Sequence, residues 1–175
     1  KICILASLYK QMITYNISFN NPHRHYVNFE LHTSSNGAER MQFQLAAWRP
    51  GRYELANFSQ NIQKWGAFDQ DNKPLHFYKI NKDLWEVETN NAQEISIVYS
   101  FYANQLDAGA CYLDEHQLYL NPVHCMFYIK DRIEEEYLIE LDLPNKYKIA
   151  TSMRREKNTL FADSYDLLAE SPIIC

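Results

Sequence analysis

The chain has 175 residues, and its 17 lysine and arginine residues stand against 22 acidic ones, which gives a net charge of −5. An acidic chain disfavours nucleic-acid binding, because that binding depends on neutralising phosphates. The four glycines lie too far apart to build the glycine-rich phosphate loops of nucleotide-binding proteins. A chain of this length predicts a single domain.

The N-terminal residues 1–11 are predicted to be an extension that precedes the folded domain. The segment Lys1–Leu8 has few apolar residues for a signal peptide and lacks a clear A-x-A cleavage site. We therefore expect a cytoplasmic protein, and a periplasmic or exported one is the alternative if residues 1–11 are a clipped signal. No stretch of the sequence approaches the ~20 apolar residues that a membrane span requires.

From Ile13 onward the sequence alternates between apolar and polar residues, which is typical of strands with one buried face. The Asn36-Gly37 pair is a favoured hairpin turn, so the second and third strands are predicted to pair with each other. The spacing around Phe58–Gln63 indicates a short helical turn. The predicted strands are 13–19, 27–31, 41–45, 67–69, 75–80, 84–89, 95–101, 117–120, 126–129, 137–143, 147–151 and 159–162.

Many short strands at spacings of roughly 8–12 residues indicate an all-β fold. We predict an antiparallel β-sandwich or a curved open sheet with at most one or two short helices. No repeat or linker divides the sequence, so residues 12–175 are predicted to form one domain. Several aromatic residues occupy the second face of their strands, which indicates that both faces pack against something: Tyr26, Tyr102 and Phe127.

Cysteine spacing excludes the common zinc-ribbon and redox motifs, because no C-x-x-C pair occurs. The residues in question are Cys3, Cys111, Cys125 and Cys175. We expect free thiols in a reducing compartment, and a bridge between Cys111 and Cys125 is the alternative.

Histidine pairs are the other candidate metal ligands. His23 and His25 share one face of an extended segment, and His116 and His124 flank a short predicted strand. The first pair has no evident third ligand, whereas Asp114 and Glu115 stand close to the second and offer a carboxylate–imidazole cluster as an alternative. No His is followed by Glu as in the H-E-x-x-H motif. We therefore predict no metal site in this chain. An independent metalloenzyme that uses these histidines is an alternative interpretation.

The most distinctive segment is Trp48–Tyr53, in which two aromatic residues bracket a Pro-Gly pair. Pro50 and Gly51 suit the central positions of a type II turn, because the second position requires a positive φ. The segment is therefore predicted to be a stiff turn. Either its aromatic residues pack in the core, or the turn is presented to a ligand or a neighbouring domain.

Together with Phe58 and Ile62, this segment resembles the W-x-P-G-x-Y motif of the glycyl aminopeptidase family. These are zinc metallopeptidases, PDZ-containing relatives of the thermolysin-like gluzincins. Two departures from the family's pattern are Glu170, where Asp is common, and Cys175, where Gly is common. Further stretches resemble the family in its own order, and with this motif they extend from residue 13 to about 173: 15–26, 83–87, 98–103, 113–122 and 165–173.

The resemblance implies an N-terminal β domain, followed by a gluzincin domain with the H-E-x-x-H zinc site and then a PDZ domain. In that chemistry zinc activates a water molecule and the glutamate acts as general base. No zinc ligand or catalytic glutamate can be carried over to a residue here. We therefore expect this chain alone not to be an enzyme, and zinc to belong to a catalytic domain absent from it.

In the related alanyl aminopeptidases a comparable β domain caps the catalytic cleft. By this analogy, the candidates for residues that face the substrate are Trp48, Tyr53, Asp114 and His116, with a purely structural role as the alternative. The expected partners are the catalytic domain and, indirectly, its peptide substrate. An apolar face left bare in the isolated chain predicts a dimer. The rival hypothesis is a stand-alone β-sandwich module that binds peptide or carbohydrate.

Overall fold

The computed structural model describes residues 12–49, 51–52, 54–107 and 109–175. The predicted N-terminal extension, residues 1–11, lies outside the described residues. Two short helices, α1 (Pro122–Cys125) and α2 (Tyr165–Ala169), lie among many strands, and 3₁₀ turns occur at Pro22–Arg24 and Phe58–Asn61. The strands are β1 (Met12–Ser18), β2 (Tyr26–Ser34), β3 (Arg40–Gln44), β4 (Ile62–Asp69), β5 (Phe77–Asn81), β6 (Leu84–Glu88), β7 (Glu94–Tyr102), β8 (Tyr112–Leu113), β9 (Leu118–Leu120), β10 (Tyr128–Ile129), β11 (Glu136–Asp142), β12 (Arg154–Glu156), β13 (Thr159–Ala162) and β14 (Ile173–Ile174).

The described strands form three open sheets. The largest has seven strands in the order β12-β13-β11-β1-β2-β7-β4, and only β1 and β11 run parallel within it. A second sheet has the order β10-β3-β6-β5, and a third has the order β14-β9-β8. The predicted all-β fold, with open sheets and at most two short helices, is confirmed. Neither described helix is long and apolar enough to cross a bilayer.

An aromatic core joins the seven-stranded sheet to the four-stranded one. Phe127 lies at its centre and makes edge-to-face contacts with Tyr99 of β7 and Trp85 of β6, at centroid distances of 5.0 and 5.1 Å. Phe29 of β2 stacks on Tyr99 at 5.0 Å. Such pairs add stability beyond the burial of their apolar area. Part of the high aromatic content is thereby explained by contacts between layers.

Three buried tyrosines hold the backbone of residues 125–127, which leads from α1 into β10. Tyr99 donates to the first carbonyl of this segment at 2.7 Å, and Tyr165 donates to the second at 3.1 Å. Tyr15 donates to the third carbonyl at 3.0 Å and accepts from the N–H of the same residue at 2.8 Å. Buried backbone groups require such partners. These hydroxyls therefore fix the position of α1 against the core.

The predicted hairpin around Asn36-Gly37 is wrong as a strand pairing. Both residues have the positive φ values of a tight turn, 55° and 73°. However, β2 pairs with β1 and β7, whereas β3 pairs with β6 and β10. The turn therefore carries the chain from one sheet to the other. The alternation of apolar and polar residues predicts that each strand has a buried face. It does not specify which strand pairs with it.

The predicted strand at 147–151 is also wrong. Within it only Ala150 forms a bridge, with Ile174, and no ladder develops. Conversely, β4 begins at Ile62, five residues before its predicted start, and a bulge between Gln63 and Gly66 interrupts its alternation. The short strands β8, β12 and β14 were not predicted, because two or three residues are too few for a periodic signal.

The cysteines among the described residues are free thiols. Cys111, Cys125 and Cys175 are all buried, and Cys3 lies outside the described part of the chain. The thiols of Cys111 and Cys125 both approach the carbonyl oxygen of Asn121, at 3.7 and 3.4 Å. The expectation of free thiols thus agrees with these three residues, and the structure has no bridge between Cys111 and Cys125.

Candidate functional site

The predicted stiff turn lies in the loop between β3 and β4. The N–H of Arg52 donates to the carbonyl of Arg49 at 3.3 Å, and Gly51 has a φ of 83°. Glycine adopts this conformation without steric cost. The side chain of Trp48 is 50% exposed, which favours presentation at the surface over packing in the core. Pro50 and Tyr53 lie outside the described residues, and the role of Tyr53 stays a prediction.

The loop between β7 and β8 packs against this turn. The guanidinium of Arg49 lies directly over Gly109, where an added Cβ would overlap it. The N–H of Gly109 donates to Asp107 Oδ1 at 2.7 Å, and the side-chain amide of Gln105 donates to Oδ2. These hydrogen bonds, with smaller contributions from the charges of Arg52 and Arg49, lower the pKa of Asp107. Asp107 is therefore ionised at neutral pH.

His124 of α1 forms the floor of the same region. Its imidazole is 4% exposed and stacks on Phe58, with ring centroids 3.9 Å apart and planes at 20°. The buried Nε2 has no hydrogen-bond partner among the described residues. Burial lowers the pKa of His124 to about 4; the charges of Arg49 and Arg52 act in the same direction, and the charge of Asp107 opposes them. The ring is thus neutral at pH 7, with one N–H donor and one acceptor nitrogen.

These groups surround two adjoining cavities, which we call the Arg49 cleft. The larger has a volume of about 300 Å³ and is lined by His124, Phe58 and Arg52, together with the end of β7 and residues 104, 105 and 109–111 of the following loop. The smaller, of about 180 Å³, is lined by Arg49 and shares Arg52, Phe58 and Gly109 with the first. The cleft thus offers guanidinium groups, a neutral imidazole and an aromatic face. This arrangement is suited to binding, and it contains no activated nucleophile among the described residues.

The predicted site residues Asp114 and His116 lie elsewhere, on the turn between β8 and β9. The pKa of the Asp114 carboxyl is lowered. Partial burial acts to raise it, but the N–H groups of His116 and Gln117, which both donate to the carboxylate at 2.8 Å, lower it. The His116 imidazole is 79% exposed and lies 3.1 Å from Glu115. Neither Asp114 nor His116 lines the Arg49 cleft. Asp114 organises its own turn, and contact with substrate stays a prediction for both.

The candidate metal ligands do not converge. His25 Nδ1 lies 2.6 Å from the carbonyl of Leu113, whereas His23 faces Glu115 at 3.4 Å. In the part of the chain that the structure describes, no group of three His, Cys, Asp or Glu residues is arranged to hold a metal ion. These residues therefore do not fit a peptidase zinc site, and we assign no zinc-dependent step to them.

Fold and cleft together define an open-sheet β domain with a cleft at one end of its larger sheet. The family model of the Peptidase M61 N-terminal domain matches residues 14–175. The chain therefore belongs to this family, which confirms the resemblance to the glycyl aminopeptidases. A comparison with curated proteins gave no match.

Two solved structures extend the comparison. An aminopeptidase N family protein from Idiomarina loihiensis has a TM-score of 0.86 and 26% identity, over 93% of this chain and 29% of its own. An M1 zinc metallopeptidase from Deinococcus radiodurans, in a mutant form bound to a Tyr-Ser-Ala substrate, has a TM-score of 0.52 and 10% identity. That match covers 94% of this chain and 41% of the other, and at such identity it shows the fold alone. This chain thus spans less than half of either structure.

Sequence reasoning recognised the turn but missed most of the cleft. It considered His124 as a metal ligand beside His116, and the structure separates the two, one buried and the other exposed. Phe58 was part of the family motif, but its stacking on a histidine 66 positions later carried no local signal. Asp107 and Gly109 reach the cleft because their loop folds back onto the turn.

Proposed function

We propose that this domain packs against the catalytic domain of a zinc metallo-aminopeptidase and forms part of the wall of its substrate cleft. Hydrolysis and zinc binding belong to the catalytic domain, and this β domain has no peptidase activity of its own. The observation that carries the proposal is the match of the Peptidase M61 N-terminal domain family to residues 14–175. Support also comes from the likeness to an aminopeptidase N family protein over 93% of this chain.

The distribution of exposed apolar side chains supports a docking role for the loops around the Arg49 cleft. Trp48 is 50% exposed, Leu55 is 79% exposed and Leu106 is 62% exposed. All three lie in the two loops that form the cleft. Large apolar side chains grouped in this way mark interaction surfaces, and tryptophan is enriched in protein interfaces. A catalytic domain seated there would bring its substrate beside the cleft.

The test compares the full-length protein that contains this chain with the 175-residue chain alone. We expect release of the N-terminal residue from a short peptide, abolished by a chelator and restored by zinc, from the full-length protein only. Activity of the isolated chain would contradict the proposed division of labour. A full-length protein without zinc-dependent peptidase activity would contradict the peptidase assignment and favour the stand-alone binding module.

A substitution tests the docking surface. Trp48→Ala in the full-length protein should lower kcat/KM several-fold, while the free energy of unfolding of the 175-residue chain changes by about 0.5 kcal/mol or less. Ile80→Ala on β5 is the matched control, because Ile80 is 52% exposed and lies at the edge of the four-stranded sheet. It should leave kcat/KM unchanged. Equal effects of the two substitutions would show that the surface around Trp48 has no special role.

The same surface would be bare in the isolated chain. We propose that the chain then self-associates through Trp48, Leu55 and Leu106, in the way that exposed apolar patches commonly do. Analytical ultracentrifugation should detect a dimer that Trp48→Ala weakens and Ile80→Ala does not. A monomer at all accessible concentrations would contradict this part of the proposal.

A further inference from the structure

We propose that the Arg49 cleft is a carboxylate-binding site, and that its ligand is the C-terminal carboxylate of a short peptide. The identification of the ligand as a peptide rests on the proposed function, whereas the carboxylate site follows from the cleft itself. Nothing in the motif resemblance assigned a ligand to this cleft.

Arg49 supplies the principal donor. Its guanidinium has no hydrogen bond or ion pair with any described residue, although it is half-buried over Gly109. An arginine carries five N–H donors in a planar fork that matches the two oxygens of a carboxylate. Its neighbour Arg52 donates to Glu54 at 2.8 Å, but both side chains are more than half exposed, and such surface pairs are weak. With respect to the described residues, the Arg49 guanidinium is therefore open to a ligand, and Arg52 is only loosely engaged.

His124 supplies the second donor. The ring lines the larger cavity and is almost completely buried, and its buried Nε2 has no hydrogen-bond partner among the described residues. An unpaired buried polar group lowers stability. Stacking on Phe58 at 3.9 Å fixes the plane of the ring. A ligand oxygen in the cleft would accept from the imidazole N–H and remove this cost.

The charges around the cleft favour a singly charged anion. Arg49 and Arg52 are balanced by the carboxylates of Asp107 and Glu54, and His124 is neutral at pH 7. The oxygens of Asp107 accept hydrogen bonds within their own loop, from Gly109 and Gln105, so Asp107 does not occupy the Arg49 fork. A nearly neutral site with free donors suits one carboxylate. A phosphate dianion would be repelled by the two acids.

The size of the cavity favours the end of a short peptide. The cavity lined by His124 has a volume of about 300 Å³, at the lower limit of small-molecule sites, and the adjoining cavity lined by Arg49 has about 180 Å³. Phe58 and the exposed Leu55 provide apolar contacts beside the donors. A terminal residue with its carboxylate fits this combination, whereas a longer chain that continues past the site would place an amide there. The proposed peptidase would thus prefer short peptides with a free C-terminus.

The direct test is a titration of the 175-residue chain with Gly-Gly-Ala and with its C-terminal amide. We expect the acid to shift the His124 imidazole signals in NMR spectra and to bind at least tenfold more tightly than the amide. Arg49→Gln should remove this preference. Arg154→Gln is the matched control, because Arg154 lies on β12, at the opposite edge of the seven-stranded sheet from β4. Equal affinity for acid and amide, or no effect of Arg49→Gln, would overturn the proposal.

Kinetics of the full-length protein separate this inference from the proposed function. Arg49→Gln should lower kcat/KM about tenfold more for the acid than for the amide, as expected for loss of a charge-assisted hydrogen bond. Arg49→Lys, which keeps the charge but not the fork, should recover part of the loss. Peptidase activity with no selective effect of Arg49→Gln would overturn the carboxylate site alone. Selective binding by the isolated chain without activity of the full-length protein would overturn the proposed function alone.

Discussion

Acidification should destabilise this domain at a pH well above the titration of its carboxylates, and His124 is the cause. The ordinary pKa of histidine is 6.5, and burial in the Arg49 cleft lowers that of His124 to about 4. Between these two values the unfolded chain binds a proton that the folded chain does not. The stabilising contribution of the neutral imidazole is therefore complete above pH 6.5 and is lost progressively as the pH falls towards 4.

The magnitude follows from the two pKa values. Integrating the difference in bound protons over pH gives the loss in free energy of unfolding. It is about 2 kcal/mol between about pH 7.5 and about pH 5, and about 3 kcal/mol by about pH 4. Since His124 is only 4% exposed, solvent screening reduces this figure little. Asp107 and Asp114 have pKa values below the usual range for Asp, so their contribution is lost only at still lower pH.

Urea unfolding of the 175-residue chain at several pH values measures this loss. The matched variant is His124→Phe, which retains an aromatic ring against Phe58 and removes the titrating group. Its free energy of unfolding should change by less than about 0.5 kcal/mol over the same pH range, apart from changes caused by other groups. Arg49→Gln should reduce the pH dependence of the parent chain, because the Arg49 charge contributes to the lowered pKa of His124.

Two results would refute this reasoning. One is an NMR titration in which the folded chain shows a His124 pKa at or above 6.5. The other is a pH dependence that His124→Phe leaves unchanged. Either result would mean that the ring accepts a proton in the folded state, and the neutral imidazole of the carboxylate site would then be wrong as well.

Three further substitutions test contacts of the core, of the Arg132 turn and of the Arg49 cleft. Tyr15→Phe removes both hydrogen bonds to the buried Phe127 backbone and should cost about 3 kcal/mol, measured by urea unfolding. Arg132→Met removes bonds to the 33–34 backbone and side chain, at 2.8 and 2.9 Å, and should cost about 2 kcal/mol in the same assay. Gly109→Ala displaces the Arg49 guanidinium and should change stability by less than about 0.5 kcal/mol, while weakening binding of Gly-Gly-Ala in the NMR titration.

Exposed residues of the same types provide the controls. Tyr78→Phe should be nearly neutral, because Tyr78 is 44% exposed on β5. Arg40→Met should change stability by about 0.5 kcal/mol or less, since the Arg40 side chain is 60% exposed in its pairs with Glu86 and Glu88. If Tyr15→Phe behaved like Tyr78→Phe, its hydroxyl would not be the main partner of the 125–127 backbone.

The sequence predicted the class of fold because alternation is a local property. The runs from Ile13, Val27 and Ile95 became the long central strands β1, β2 and β7, each with one buried face. Pairing is not local, and for this reason the turn at Asn36-Gly37 was recognised while the partners of β2 and β3 were not. The parallel pairing of β1 with β11, which joins residues more than 120 positions apart, likewise leaves no trace in either segment.

The site was predictable only where a single turn carries it. The Arg49–Arg52 turn follows from the need of Gly51 for a positive φ. The place of His124 in the cleft could not be predicted, because a histidine within an apolar stretch indicates only a partly buried polar residue. The residues that surround it come from loops far away in the sequence. Asp114 was conspicuous in the sequence as an acidic residue close to a histidine. In the structure it accepts hydrogen bonds that hold its own turn together, and its contact with substrate stays a prediction.

Core packing and the cleft are linked through one short piece of backbone. Tyr15, Tyr99 and Tyr165 hold residues 125–127 from three different elements, and His124 precedes that segment directly. The position of the imidazole is therefore fixed by the centre of the core, and the β3–β4 and β7–β8 loops pack over it. A binding group held in this way is ordered before its ligand arrives, which reduces the entropy lost on binding. The aromatic residues that build the interior thus also prepare the cleft for a ligand.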